Sequence, residues 1–505
     1  MDSYPRRWWA LIALGLSMLA IGLDMTILTT ALPTLAGDLH ATNSQLQWIA
    51  DAYMLVLAAA VLPAGLLGDR FGRRKFIVLG LVLFAAGSAW CAWSGSANAL
   101  IGARVLLGLG AAILTPLSMS ILAVLFEPHE RQRAVALMSM FTMVGIPLGP
   151  IVGGALLEHF WWGSVFALNL PMAAIAIVAV ITLMPETRGE QTRRIDLVGI
   201  ATSSLGLVGI TYGLIQGPSN GWTSGGVLGG LVGGLAVLIA FVVWERRTAH
   251  PLLDISLFSS RIFTSGTALA TIIAFAMFGA FYALPQLFQA VLGAGPQGTG
   301  LRMLPLIGGL LVGFQITNRL APRTGPTPPL VGGFALMALG AMIGTGTGPH
   351  TGFGYVALWT VIFGLGIGFS LPTAMVAAMG ALSKSRAGVG TAMLMAFRQV
   401  GSVLGIAILG TVLSVGYHSR LDTSGLPAAA GHAARDSASA GVAVAAQLHS
   451  DPLLGSVRAA FTHGMDITLW VTAAVALAGM VLAALVLPRR RPTPVEAESE
   501  HAVVV

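Results

Sequence analysis

Long apolar stretches with at most one charged side chain each dominate this sequence and indicate that most of its surface faces lipid. Fourteen of them reach the roughly 20 residues that a helix needs to cross the hydrocarbon core of a bilayer. Their approximate limits are 8–33, 45–67, 76–94, 99–125, 134–157, 163–184, 197–215, 226–244, 263–289, 299–318, 328–346, 354–382, 387–416 and 466–487. Lipid offers backbone groups no outside partner, so these spans are expected to be helical. We predict an all-α integral membrane protein.

The composition excludes an ordinary soluble enzyme. Only 9% of the 505 residues are charged and the mean hydropathy is +0.83, whereas soluble domains carry about 25% charged residues. The single cysteine, Cys91, excludes a disulfide framework and a cysteine-based metal site. The apolar stretch after Arg6 and Arg7 continues too long, and ends without a small-residue cleavage site, for a secretory signal peptide.

Basic residues fall almost entirely in alternate connections between the spans. Most of the 27 Lys and Arg residues follow this pattern, including those in 70–75, 188–194 and 489–491. Lys and Arg prefer short cytoplasmic segments, so both termini are predicted to be cytoplasmic. Topology therefore explains the formal charge of +7, and no nucleic-acid partner is expected.

Charged residues inside the spans are functional candidates, because each costs about 2.5–3.5 kcal/mol to insert. Asp24, Asp51 and Arg104 lie at depths that agree within about 6 Å at 1.5 Å per helical residue. They would form one polar cluster in the outer half of the membrane if their helices face a common cavity. Arg398 lies near mid-membrane, and Arg302 lies close enough to the outer face to snorkel.

A carboxylate buried in the membrane can bind a proton and a cationic drug in turn. Competition between the two is the simplest coupling for exchange. Structural roles compete with this interpretation: Asp51 would anchor its helix at the interface, Arg104 would hold helices together, and Arg398 would either fix helix register or bind an anionic group. Side chains suited to a roomy substrate cavity are Trp48, Tyr53, Phe281, Tyr282, Gln286, Gln289 and Arg398; Trp48 and Tyr53 also suit an aromatic belt.

The connection after the second span carries Gly65, Asp69, Arg70, Gly72 and Arg73 in the run GLLGDRFGRRK. This run resembles the signature loop between helices 2 and 3 of the major facilitator superfamily. A tight turn at Gly72 would hold Asp69 against a helix end or a basic partner, as a latch that one conformation forms and another breaks.

Three further motifs narrow the resemblance. The first span carries LDMTILTTALP from Leu23 to Pro33, similar to the first-helix signature of fourteen-span drug:proton exporters, and the fourth carries Arg104 with Leu107 where that family often has Gln. The fifth resembles the antiporter motif of exporters, with close packing and a local kink expected at Gly145, Gly149, Pro150, Gly153 and Gly154. Acidic residues at Asp24 and Asp51 look most like the quaternary-ammonium-compound exporter branch, whereas Arg398 resembles the pattern of antibiotic self-resistance pumps.

The resemblance implies two six-helix bundles, 1–187 and 263–488, with two inserted helices in 188–262, an external loop at 417–465 and a disordered cytoplasmic tail at 489–505. It implies a cofactor-free protein, not an enzyme, that works as a monomer in a bacterial cytoplasmic membrane with small-molecule drugs and protons as partners. The expected function is proton-coupled multidrug efflux by alternating access. Because the spans of this chain carry fewer acidic residues than those of some members of the quaternary-ammonium branch, lipophilic monovalent cations are the expected substrates. A dedicated exporter of a neutral or anionic natural product is the alternative, and an uncoupled carrier, a membrane sensor and an intramembrane enzyme are further alternatives.

Overall fold

The computed structural model describes residues 7–187, 196–248, 255–380 and 387–486. A helix occupies each of the predicted spans. In chain order they are α1 (Arg7–Asp38), α2 (Asn43–Phe71), α3 (Arg73–Ala92), α4 (Ala97–Leu125), α5 (Pro128–His159), α6 (Asn169–Leu183), α7 (Leu197–Asn220), α8 (Gly234–Glu245), α9 (Arg261–Gln286), α10 (Leu304–Thr324), α11 (Thr327–Gly344), α12 (Phe353–Gly380), α13 (Ala387–Arg420) and α14 (Asp451–Val486). Shorter helical pieces extend α6, α8, α9 and α10: Ser164–Ala167, Gly225–Leu228, Gly229–Gly233, Leu287–Val291 and Pro296–Arg302.

Thirteen helical segments in the described part of the chain are long and apolar enough to cross a membrane. Helix α5 is not among the thirteen, although it is 32 residues long and fills the fifth predicted span. The all-helical prediction is confirmed. Fourteen crossings and cytoplasmic termini stay predictions, and the tail 489–505 lies outside the described residues.

Local sequence signals set the beginnings of several helices. Thr42 accepts a hydrogen bond from the backbone N–H of Gln45, and the Gln45 side chain accepts one from the Thr42 N–H, which makes a capping box ahead of α2. Ser96 and Ser260 cap α4 and α9 in the same manner through their hydroxyls. Each cap fixes the register at which a helix enters the bundle.

The described helices pack in two groups joined at few places. Helices α1 to α6 pack mainly on one another, as do α9 to α14, and α2 packs against α13 across the boundary. Helix α7 packs against α8 and touches both α2 and α13. On α8 and the short helical piece before it, more than half of the surface of Val232, Leu235 and Ile239 is exposed, as expected of a surface that faces lipid.

The connection between α13 and α14 is shorter than the predicted loop at 417–465. Helix α13 continues to Arg420 and α14 begins at Asp451, so the connection covers 421–450 and contains two short helices, Ala428–Asp436 and Ala438–Gln447. The predicted span 466–487 lies within this helix, which begins 15 residues earlier at Asp451, because a helix that has left the hydrocarbon tolerates charge. Asp451 in the first turn of α14 also suits the positive end of the helix dipole.

Candidate transport site

An ion pair between α1 and α4 lies at the centre of the candidate site. Arg104 Nη1 is 2.7 Å from Asp24 Oδ2, and the two side chains are 1% and 0% exposed. Arg104 Nε also donates to the backbone carbonyl of Ile49 on α2 at 3.1 Å, and its guanidinium lies 4.4 Å from the centre of the Tyr53 ring. One arginine therefore ties three helices together with an ion pair, a hydrogen bond and a cation–π contact.

The support of Arg104 could not be read from the sequence. Leu107, which stands where a polar partner is common in the resembled family, is fully buried, and the Ile49 carbonyl takes over as acceptor. A backbone carbonyl has no sequence signal of its own. Tyr53, predicted for the substrate cavity or an aromatic belt, is instead fully buried against Arg104.

Asp51 lies at a similar depth but is not joined to that pair. Its side chain is 0% exposed, and neither carboxylate oxygen has a hydrogen-bond partner among the described residues. The face of α2 that carries Asp51 also carries Asn43, whose Oδ1 accepts from the Tyr282 hydroxyl of α9 at 3.4 Å. The structure thus separates the two acids: Asp24 is neutralised by Arg104, whereas Asp51 faces the second helix group without a countercharge.

Helix α9 supplies most of the remaining predicted cavity residues, and the structure buries them. Phe281 and Tyr282 are 1% exposed, and Gln286 donates to the Tyr282 carbonyl at 3.0 Å. Gln289 donates to the Thr30 carbonyl of α1 at 3.1 Å, so it joins the two helix groups. In this conformation Phe281, Tyr282 and Gln286 are buried, and Gln289 is half-buried against α1.

Arg398 and Trp48 remain half-buried. Arg398 lies on α13 and has no ion-pair partner among the described residues, and its neighbour Gln399 contacts Met54 of α2. A guanidinium in this position can attract an anionic group. Arg302 is half-buried, and its guanidinium lies 5.6 Å from the Phe353 ring centre.

The predicted latch is a sharp turn docked on the segment that follows α6. Gly72 has φ +119°, its N–H donates to the Gly68 carbonyl, and the Arg73 N–H donates to the Thr187 carbonyl at 2.9 Å. The Glu186 carboxylate accepts from the Arg74 N–H at 3.2 Å. Glu186 was missed by the sequence reasoning.

The other latch residues are placed less fully. Gly65 packs on Pro116 of α4, and Arg70 is exposed and stacks on Phe71. The Asp69 side chain, which was predicted to close the latch, lies outside the described residues.

The antiporter motif of α5 packs against α1. A Cβ atom at Gly145 would lie 2.7 Å from the Leu19 carbonyl oxygen, and one at Gly153 would lie 2.6 Å from Ile27 Cγ1. Gly149 approaches α1 beside Thr26 in the same way. Glycine is required for this approach, and it fixes the helix that carries Asp24.

The far end of the same motif meets the second helix group. A Cβ atom at Gly154 would lie 2.7 Å from the Pro296 carbonyl oxygen, and the Pro150 carbonyl contacts Gly300. The motif residues therefore lie between α1 and the segment that opens α10.

A polar vestibule of about 590 Å³ opens at the predicted outer end, where α2 and α4 begin and α7 and α13 end. Its lining is Thr42, Asn43, Ser44, Gln45, Asn98, Gln216, Pro218, Ser219, Asn220, His418, His432, Arg435 and Asp436. Burial raises the pKa of Asp436, and the nearby His432 and His418 oppose that shift. Among the described residues no group of three or more His, Cys, Asp or Glu side chains could hold a metal ion.

Comparison with known proteins decides the family. The sequence profile described as Major Facilitator Superfamily matches residues 14–406. The chain belongs to the Major Facilitator Superfamily. The superfamily resemblance drawn from the loop around Gly72 is therefore confirmed, and the chain is a multi-pass membrane protein of a transporter family.

Relatives of similar length share about a third of their residues with this member of the superfamily. The tetracenomycin C resistance and export protein of Streptomyces glaucescens is 32% identical over 98% of this chain and 94% of its own length. The multidrug efflux pump LfrA of Mycolicibacterium smegmatis is 33% identical over 96% of this chain and 97% of its own length. Both relatives are exporters, one named for an antibiotic and one for many drugs.

A solved structure shares the fold. A bacterial homologue of the lysosomal transporter Spinster, in an inward-facing and unoccupied conformation, superposes with a TM-score of 0.71 at 17% identity, over 97% of this chain and 100% of that chain. At this identity the likeness shows the major facilitator fold alone. The fourteen-span family and the quaternary-ammonium branch stay predictions.

Proposed function

We propose that this protein is a proton-coupled multidrug exporter that carries lipophilic, monovalent cationic compounds out across a bacterial cytoplasmic membrane. The observation that carries the proposal is Asp51, a fully buried carboxyl group with no hydrogen-bond partner among the described residues. An ionised carboxylate at membrane depth is costly unless a countercharge accompanies it. A proton and an organic cation both supply that charge.

Proton and drug are exchanged because Asp51 cannot hold both at the same time. A bound cation keeps Asp51 ionised, and a proton arriving from outside neutralises the carboxylate and releases the cation. The neutral site then returns inward through rocking of the two helix groups about a midplane site, the movement typical of this fold. Asp24 would serve as a second acid whose protonation releases Arg104 from its ion pair.

The relatives support export rather than import, since both are named for efflux or for resistance and export. The close contact of Gly145 and Gly153 with α1 also supports this assignment, because it reproduces physically the packing expected of the exporter motif.

Purified protein in liposomes that enclose a pH-sensitive dye tests the proposal. Addition of tetraphenylphosphonium, a lipophilic monovalent cation, is expected to move protons in the direction opposite to the drug. Asp24→Asn and Asp51→Asn should each abolish that movement in protein that remains folded. Asp38→Asn is the matched control, because Asp38 is exposed at the end of α1. Proton-independent drug transport in the wild type would instead indicate an uncoupled carrier.

Arg398 favours a second candidate, a dedicated exporter of a neutral or anionic natural product. The guanidinium is half-buried on α13 and has no ion-pair partner among the described residues. A series of substrates with one scaffold and charges of +1, 0 and −1 separates the candidates. Preference for the anion, lost in Arg398→Gln and kept in Asp51→Asn, would select the second.

A further inference from the structure

Polar side chains continue along one face of α2 from the vestibule to Asp51. Asn43, Gln47 and Asp51 are spaced at four residues, which places them one above another on a helix. The separation of eight positions between Asn43 and Asp51 corresponds to about 12 Å along the helix axis. Asn43 lines the vestibule and Asp51 is fully buried, so the row runs from outside water to the buried acid.

Tyr282 of α9 lies beside this row. Its hydroxyl donates to Asn43 Oδ1 at 3.4 Å. A Cβ atom at Gly410 of α13 would contact both the Gln47 amide and the Tyr282 ring, at 3.1 Å from the ring. Gln47 and Tyr282 therefore flank the same point, where the two helix groups meet. Asn43, Gln47, Asp51 and Tyr282 are called the α2 polar row below.

Burial of these polar groups costs free energy unless they find hydrogen-bond partners. Gln47 is 2% exposed, Tyr282 is 1% exposed, and the Gln47 amide nitrogen and both Asp51 oxygens have no partner among the described residues. Leaving a buried polar group unpaired costs about 1–3 kcal/mol. Groups of this kind are usually paired with water inside proteins. The row therefore provides donors and acceptors spaced for a short chain of water molecules.

We propose that the α2 polar row is the path by which protons reach Asp51 from the outer vestibule. This inference rests on the proposed proton-coupled export. A proton taken up by water at Asn43 passes between water molecules, and the Tyr282 hydroxyl can accept one proton while it gives up its own. The transfer ends with an O–H bond on the Asp51 carboxylate. The two amides orient water and do not carry the proton themselves.

Other charged groups near the path lie on α1, α4 and α13 and at the vestibule. The Asp24–Arg104 pair of α1 and α4 is internally neutral and touches α2 through the Ile49 carbonyl. Arg398 lies on α13, on the side of Asp51 away from the vestibule. At the vestibule the titratable and charged residues are His418, His432, Arg435 and Asp436. A histidine there can supply or take up the proton before it enters the row.

The test measures the rate of drug-driven proton influx into liposomes for Tyr282→Phe and Gln47→Leu. Each substitution interrupts the row without changing a charge, and influx is expected to slow about tenfold or more, within the range that positioned proton-transfer groups contribute. Binding of tetraphenylphosphonium to Gln47→Leu in detergent is expected to stay within about twofold, because Asp51 is intact.

Tyr417→Phe is the matched control. Tyr417 is as buried as Tyr282 and lies at the same end of the bundle, but its hydroxyl donates to the Ala434 carbonyl of a loop helix and not to the row. Wild-type influx in Tyr282→Phe and in folded Gln47→Leu would overturn the path. Equal slowing in Tyr417→Phe would overturn it as well. Absence of drug-driven proton movement in the wild type would instead overturn the proposed function, so the two failures are distinguishable.

Discussion

The two halves of the Asp24–Arg104 ion pair are expected to tolerate loss of their partner unequally. Arg104→Met leaves a carboxyl group that can take up a proton and become neutral, whereas Asp24→Leu leaves a guanidinium that stays charged. Asp24→Leu should therefore be the more destabilising change. Burial does not distinguish the two side chains, since both are almost completely buried. The difference therefore comes from their ability to become neutral.

The contacts of each residue give the magnitudes. In Asp24→Leu the guanidinium keeps the Ile49 carbonyl and the Tyr53 ring but loses its only ion-pair partner among the described residues, at about 3–5 kcal/mol, typical of a buried charge left unpaired. In Arg104→Met the neutral Asp24 carboxyl is buried without its strong donor, at about 1–3 kcal/mol. The double variant removes both groups and is expected within about 1 kcal/mol of wild type, since apolar replacements of buried pairs are often neutral.

Reversible unfolding in mixed micelles, followed by tryptophan fluorescence, measures these differences. The double-mutant cycle then gives a coupling free energy of several kcal/mol, with the double variant far more stable than the sum of the single changes predicts. Two results would refute the reasoning: Arg104→Met as the costlier single change, or additivity of the two. Additivity would mean that the pair opens to water in the folded protein, and a costlier Arg104→Met would mean that the Arg104 contacts with Ile49 and Tyr53 outweigh the unpaired guanidinium.

Three other predictions follow from the same structure. Dicyclohexylcarbodiimide, which reacts with protonated carboxyl groups in apolar surroundings, should label Asp51 and spare Asp24 in peptide mass spectrometry, and equal labelling would contradict the separation of the two acids. Gly72→Ala should lower stability by about 1–3 kcal/mol, because φ is +119° and the added Cβ meets the Glu186 carboxylate; an unchanged unfolding midpoint would contradict this. Burial raises the pKa of Asp436, so ionisation of this residue disfavours the folded loop as pH rises above the ordinary carboxyl range. Asp436→Asn should therefore slow proteolysis of the loop at pH 7 and not at pH 3. Equal protection at both pH values would contradict the assignment.

Helix positions were predictable because lipid leaves the chain few choices. Spans found by lack of charge coincide with helices, and the capping box at Thr42 marks where α2 begins. The last helix begins before its predicted span, since Asp451 to Asp466 lies in a helix although the segment is not uniformly apolar. Hydropathy measures what enters the hydrocarbon and does not report where a helix ends in water.

Helix rotation was not predictable, and the site depends on it. Depth alone placed Asp24, Asp51 and Arg104 together, but rotation of α2 turns the face of Asn43 and Asp51 toward Tyr282 while the Ile49 carbonyl turns toward Arg104. These positions are two residues apart and lie on different faces of the helix. Glu186 was not predicted for a related reason: its carboxylate accepts from the Arg74 N–H only because the chain turns sharply at Gly72.

Helix α7, predicted to be one of two inserted helices, joins the two helix groups through two hydrogen bonds near its end. Pro218 has no N–H to give to the Leu214 carbonyl one turn earlier, and that carbonyl accepts instead from Thr411 of α13 at 2.8 Å. The adjacent Ile215 carbonyl accepts from Ser44 of α2 at 3.0 Å. Hydrogen bonds between membrane helices average only about 0.6 kcal/mol. Under the proposed alternating access, bonds this weak would break and re-form at every cycle, so α7 would follow both α2 and α13 at the predicted outer end while Asp51 and Tyr282 change their exposure to the vestibule.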